Sequence, residues 1–95
     1  MEDLRFFYMQ GCPYCASAKK ALAEFLEDPR YRDLVIEAVD EDARPDLTRG
    51  YDYYYVPTFY SGKDKLYEAH PGDSPAVVRA HVQAALDTAL ERRTK

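Results

Sequence analysis

Apolar positions along the chain follow two different periods, and the alternation between them predicts the element order. Leu4-Arg5-Phe6-Phe7-Tyr8-Met9 is a short, mostly apolar run of strand length, and Gln10-Gly11 after it reads as a turn. From Pro13 to about Glu27 the spacing changes to threes and fours. Cys15, Ala18, Leu22, Phe25 and Leu26 fall on one stripe, with Lys19, Lys20, Ala23 and Glu24 off it. Asp28-Pro29 ends this predicted helix, because a residue before proline is pushed out of the helical region. Leu34 to Val39 reads as a second, largely buried strand, and the intervening helix makes it parallel to the first. A short helix is expected from Arg44 to about Tyr51, with Pro45 near its start, Leu47 facing inward and Gly50 weakening it. Val56-Pro57-Thr58-Phe59-Tyr60 then reads as a third strand, opened by proline where a strand tolerates it. Ser61-Gly62-Lys63-Asp64 is a hairpin turn and Lys65 to Ala69 an antiparallel edge strand. His70-Pro71-Gly72-Asp73 is a loop. Ser74-Pro75 then caps and opens a last helix with Val78, Val82, Ala85, Leu86 and Ala89 on its stripe. Glu91 to Lys95 is expected to fray into a basic tail.

The expected architecture is therefore α/β, one domain over residues 1–95, in the order β-α-β-α-β-β-α. It has a four-stranded mixed sheet flanked by three helices. A net charge of −4 argues against nucleic-acid binding, which needs a clustered basic surface, and modestly favours basic partners. No apolar run approaches the roughly 20 residues of a membrane span, and no basic-then-apolar leader opens the chain. The expectation is a cytoplasmic monomer with no membrane contact. In that compartment thiols stay reduced, and a cysteine pair is catalytic or metal-binding more often than structural.

The candidate chemistry lies in Cys12-Pro13-Tyr14-Cys15, which contains both cysteines of the chain. A Cys-x-x-Cys where a strand meets a helix in a βαβ pattern is the signature of a dithiol redox site. Cys12 falls at the helix N-cap, where unpaired N–H groups and the positive end of the helix dipole favour a thiolate. The thiolate is the nucleophile, and its ordinary pKa of about 8.5 must fall for it to form at neutral pH. Pro13 suits the first helical position. Cys15, one turn on, is placed to resolve a mixed disulfide formed on Cys12, with Cys12 exposed and Cys15 shielded in the stripe. A structural zinc site would need a second ligand pair, and His70 and His81 lack that spacing, so no metal is expected. A disulfide closing so short a loop would add little stability.

Several residues carry two readings. Lys19 and Lys20 either lend positive potential to the thiolate or form a solvated helix face. Tyr51, Tyr53, Tyr54 and Tyr55 are either a binding surface or packing against the first helix beside the thiols. His81, on the border of the last stripe, reads as structural. Val56-Pro57 is where a cis peptide is expected, although only about 5–6% of X–Pro bonds are cis.

With Cys-Pro-Tyr-Cys at the first helix and Val-Pro-Thr-Phe before the hairpin, the chain resembles a glutaredoxin of the thioredoxin superfamily over nearly its whole length. The resemblance implies that Cys12 is the nucleophile, Cys15 the resolving thiol and Pro57 a cis-proline beside them. It also implies that the Val56 backbone pairs with the substrate chain, with Tyr14, Gly72, Asp73 and Ser74 completing the substrate site. The implied activity is reduction of protein or glutathione mixed disulfides, with no bound cofactor and with glutathione or a thioredoxin-reductase-like enzyme as electron source. A potential of about −200 to −230 mV is implied, against about −270 mV for thioredoxin.

Two positions depart from the glutaredoxin pattern. Met9 stands where the family carries a lysine that meets a glutathione carboxylate. Pro71-Gly72-Asp73-Ser74 stands where the family has a Gly-Gly pair before the last helix. A lost lysine contact costs on the order of 1–3 kcal/mol, up to about a hundredfold in affinity. Asp73 and Ser74 at a helix start are the remaining groups for an amino and a carboxylate group. Two further readings stay open, a thioredoxin-like reductase that ignores glutathione and a redox-responsive binding module that uses the tyrosines.

Overall fold

Strand and helix bounds follow from where the apolar alternation meets proline and glycine. The structure is a computed structural model that describes residues 2–93. Strand β1 spans Leu4–Tyr8, helix α1 Pro13–Phe25, β2 Ile36–Asp40, β3 Thr58–Ser61, β4 Asp64–Glu68 and helix α2 Pro75–Arg93. The sheet order is β2-β1-β3-β4. β1 pairs parallel with β2, Leu4 opposite Ile36 and Tyr8 opposite Asp40. It pairs antiparallel with β3, Phe6 opposite Phe59, and β3 pairs antiparallel with β4 across the Gly62-Lys63 turn.

The two-residue period of β1 sends its side chains to opposite faces. Leu4 and Phe6 join Ala18, Leu22, Phe59, Val78, Val82 and Leu86 in a buried layer beneath both helices. Phe6 stacks on Phe59 with ring centroids 4.7 Å apart. Phe7 faces the other way, into a second cluster with Val39 and Tyr60, against which Leu47, Tyr51, Tyr53 and Val56 pack. At the far end of α2, Arg92 reaches the β3–β4 hairpin, pairing with Asp64 at 2.8 Å and donating to Ser61.

The third predicted helix is corrected. Residues 44–51 hold only a single 3-10 turn, Pro45–Thr48, so two α-helices flank the sheet within the described residues. The turn ends at Arg49, which is extended (φ −64°, ψ 134°), and Gly50 then takes a left-handed backbone with φ +85°. Strand β2 is also less buried than expected. It lies at the sheet edge, where Val35 is half exposed, Ala38 is exposed and Val39 is its one fully buried residue. Helix α1 stops at Phe25, two residues short of Glu27, and its stripe gains Ala21. Helix α2 runs through Arg93, so no fraying starts at Glu91, while Thr94 and Lys95 lie outside the described residues. Among the described residues no helix is long and apolar enough to cross a membrane.

Candidate functional site

Cys12 stands where three local preferences converge. Gly11 turns the chain out of β1 with φ +78°, which glycine adopts without side-chain strain. Cys12 is extended (φ −86°, ψ 119°) and caps α1, its Sγ accepting from the Cys15 N–H at 3.4 Å. Pro13 follows at the first helical position. Across the site, the thiol of Cys12 donates to the Val56 carbonyl at 3.8 Å. The Val56–Pro57 bond is cis, as placed from the sequence. Pro57 is buried, and its carbonyl accepts from the Ala69 N–H at 3.0 Å. The sulfur thus faces a helix N-terminus on one side and a loop carbonyl on the other.

The two thiols have unlike surroundings. Cys12 is partly exposed, whereas Cys15 is 1% exposed. Burial pushes the Cys15 thiol up to about 12. A hydrogen bond from the Met9 backbone works against that shift, and the neighbouring Cys12 adds to it. Lys19 lowers it slightly. The Lys19 ammonium lies over the Tyr8 ring at 3.8 Å, while Lys20 lines a separate groove between α1 and α2. Among the described residues no cluster of three or more His, Cys, Asp or Glu is arranged to hold a metal.

The loop before α2 comes to the Cys-Pro-Tyr-Cys motif through Tyr14, whose hydroxyl accepts from the Gly72 N–H at 2.8 Å. Gly72 has φ +96°, so glycine is required at this turn. The Asp73 carboxylate accepts from the His70 N–H at 3.0 Å and from the Tyr67 hydroxyl at 2.8 Å. Those two bonds, the His70 one first, hold its carboxyl below the usual range. Ser74 Oγ accepts from the Val77 N–H at 3.2 Å as a helix cap. His81 stacks on Tyr67 at 4.4 Å. The groups that the family pattern assigns to glutathione thus each have a partner within the protein.

Met9, Gln10, Gly11, Cys12, Pro13, Cys15, Ala16 and Lys19 line a groove of about 300 Å³ at the dithiol. Met9, at the family's lysine position, is 37% exposed. The tyrosine run divides. Tyr51 and Tyr53 pack on Phe7 at centroid distances of 5.0 and 4.9 Å, on the sheet face away from the helices rather than against α1. Tyr54 is 89% and Tyr55 50% exposed. What holds this loop is Glu68, a residue the sequence did not single out. Its carboxylate accepts from the N–H groups of Tyr54 at 2.5 Å and Tyr55 at 2.8 Å, and pairs with Lys65 at 2.8 Å. The only available sequence signal was a carboxylate on a predicted edge strand.

No family model and no curated protein matches the chain. Solved structures similar to it include these two. One, described as a malarial protein, is 19% identical, with a TM-score of 0.57 over 87% of this chain and 94% of the other. The second is Trxlp from Edwardsiella tarda, a thioredoxin-like protein 18% identical, with a TM-score of 0.57 over 83% of this chain and 79% of the other. At these identities the likeness shows the fold alone, which is thioredoxin-like.

Proposed function

We propose that the protein is a glutaredoxin-like thiol-disulfide oxidoreductase that reduces protein or glutathione mixed disulfides through Cys12 and Cys15. The observation that carries this reading is the placement of the Cys12 sulfur, 3.4 Å from the Cys15 N–H at the helix start and 3.8 Å from the Val56 carbonyl. The start of α1 presents a backbone N–H to this sulfur, and partial exposure lets a substrate reach it.

The chemistry balances as two exchanges. The Cys12 thiolate attacks one sulfur of the target disulfide, and the other sulfur leaves as a thiolate that takes up a proton. Cys15, held protonated by burial until then, loses its proton as it attacks the Cys12 sulfur. The first target sulfur leaves as the second thiol. The target disulfide gains two electrons and the Cys12–Cys15 pair loses them. Glutathione or a thioredoxin-reductase-like enzyme returns the electrons.

The test is turnover of a glutathione mixed disulfide coupled to glutathione, glutathione reductase and NADPH, with a thioredoxin-reductase assay in parallel. The expected result is turnover that Cys12→Ser abolishes, and that Cys15→Ser abolishes only for substrates needing the resolving step. A potential well below the range of about −200 to −230 mV would count against the glutaredoxin assignment. Activity with the reductase alone would favour the thioredoxin-like reading, supported by Met9 at the lysine position. Silence in both would leave a redox-responsive binding module, for which the 89% exposure of Tyr54 speaks.

A further inference from the structure

Around the reactive sulfur few cations face the groove, while exposed aromatic rings and a run of carboxylates flank it. Lys19 is the one cation among the residues lining the groove, and its ammonium sits on the Tyr8 ring. The Gly72 N–H is taken by Tyr14, and the Ser74 Oγ accepts from the Val77 N–H. On the β2 side the rim is acidic. Asp40 ends β2 and accepts from the Gln10 side chain at 3.3 Å, two residues before Cys12. Glu41 and Asp42 follow, with Asp42 exposed. On the third side stand the exposed rings of Tyr54 and Tyr55, just before the Val56 carbonyl that meets Cys12.

Resting on the dithiol reading above, we infer that the substrate is a polypeptide disulfide flanked by basic residues, docked on Tyr54 and Tyr55 and steered by Asp40, Glu41 and Asp42, rather than an anionic small thiol. Aromatic rings with polar tips give contact area at little entropic cost and are enriched in interface cores. An acidic rim raises the encounter rate of a basic segment and disfavours the carboxylates of glutathione. Glu68 holds the backbone of both tyrosines, so the segment that carries the rings is placed before a substrate arrives.

The test uses three reporters in which a cysteine is disulfide-bonded to 2-nitro-5-thiobenzoate. One is a nonapeptide with lysines flanking the cysteine, one the same peptide with glutamates, and one glutathione. Attack by Cys12 on the peptide sulfur releases the coloured thiolate, and the Cys12–peptide disulfide is then resolved by Cys15. At low ionic strength, release from the lysine peptide is expected about tenfold faster than from the glutamate peptide, with the ratio contracting at 1 M salt as charges are screened. Asp40→Asn with Asp42→Asn is expected to bring the ratio towards one. Tyr54→Ser with Tyr55→Ser is expected to lower peptide rates about tenfold relative to the glutathione rate. Equal rates for the two peptides, or a glutathione rate above that of the lysine peptide, would overturn the inference. No release from any reporter would overturn the dithiol reading, and this inference with it.

Discussion

The two faces of the sheet are covered by different chemistry. On the helix face, Phe6, Phe59, Leu86, Val78 and Val82 are essentially unexposed, and Tyr31 and Tyr67 are the two buried members of that cluster with a hydroxyl, donating to Asp87 and Asp73. On the other face a turn and loop do the covering, and tyrosines take the place of a helix. There each ring brings a hydroxyl that must be satisfied. Tyr60 donates to the Asp52 carbonyl at 2.6 Å and accepts from its N–H at 3.1 Å. Tyr53 donates to Glu41 at 2.8 Å, and Tyr51 accepts from Arg5 at 3.1 Å. Arg5 is itself paired with Glu37 at 2.6 Å, and the Lys63 ammonium sits over the Tyr51 ring at 4.2 Å. A helix satisfies its own backbone and needs only an apolar stripe; an irregular segment needs polar anchors as well. The dithiol sits where the two solutions meet, with Cys12 from the helix side and Val56 from the loop side.

The comparison predicts that the helix face is the more sensitive to lost volume and the tyrosine face to lost hydroxyls. Phe59→Ala, which removes the ring stacked on Phe6, should cost about 3–5 kcal/mol in urea unfolding, enough to threaten folding of a domain this small. Tyr60→Phe keeps the ring and deletes only the hydroxyl, with an expected loss of about 1 kcal/mol. If the two cost the same, the division between faces fails.

The smallest effect is pH-dependent. Burial first, then the bond to Glu41, raises the Tyr53 phenol above its usual value. A raised folded-state value favours the neutral phenol, so its contribution is present below the unfolded tyrosine pKa of about 10 and is lost as pH rises through the folded value. Burial and then Asp73 raise Tyr67 in the same direction, on the helix side. Stability measured from pH 9 upward should therefore fall, and Tyr53→Phe should flatten part of that fall while leaving the share due to Tyr67. An unchanged alkaline profile in Tyr53→Phe would mean that folding does not hold the Tyr53 phenol neutral.

The sheet and the helix stripes were legible because period is a local property. Leu4 and Phe6 alternate with Phe7, and Val78, Val82, Ala85, Leu86 and Ala89 recur at helical spacing. The dithiol was legible for the same reason, since Cys12, Pro13 and Cys15 act within one helical turn. The extra helix was misread because Pro45 and Leu47 satisfy a helical pattern that stops at the extended Arg49. Leu34 to Val39 was read as largely buried because an apolar run does not say which strand is at the edge.

From the sequence alone came the order of elements, the parallel first pair of strands, the position of the dithiol at a helix start and the place of the cis-proline. Each depends on residues close together in the chain. Tertiary structure alone decided which tyrosines are buried, that Glu68 anchors the loop carrying Tyr54 and Tyr55, and that Tyr14 occupies the Gly72 N–H. These choices depend on partners far apart in sequence, 58 residues apart in the case of Tyr14 and Gly72. A hydroxyl or carboxylate has no pattern that names its partner until the sheet has brought the two together.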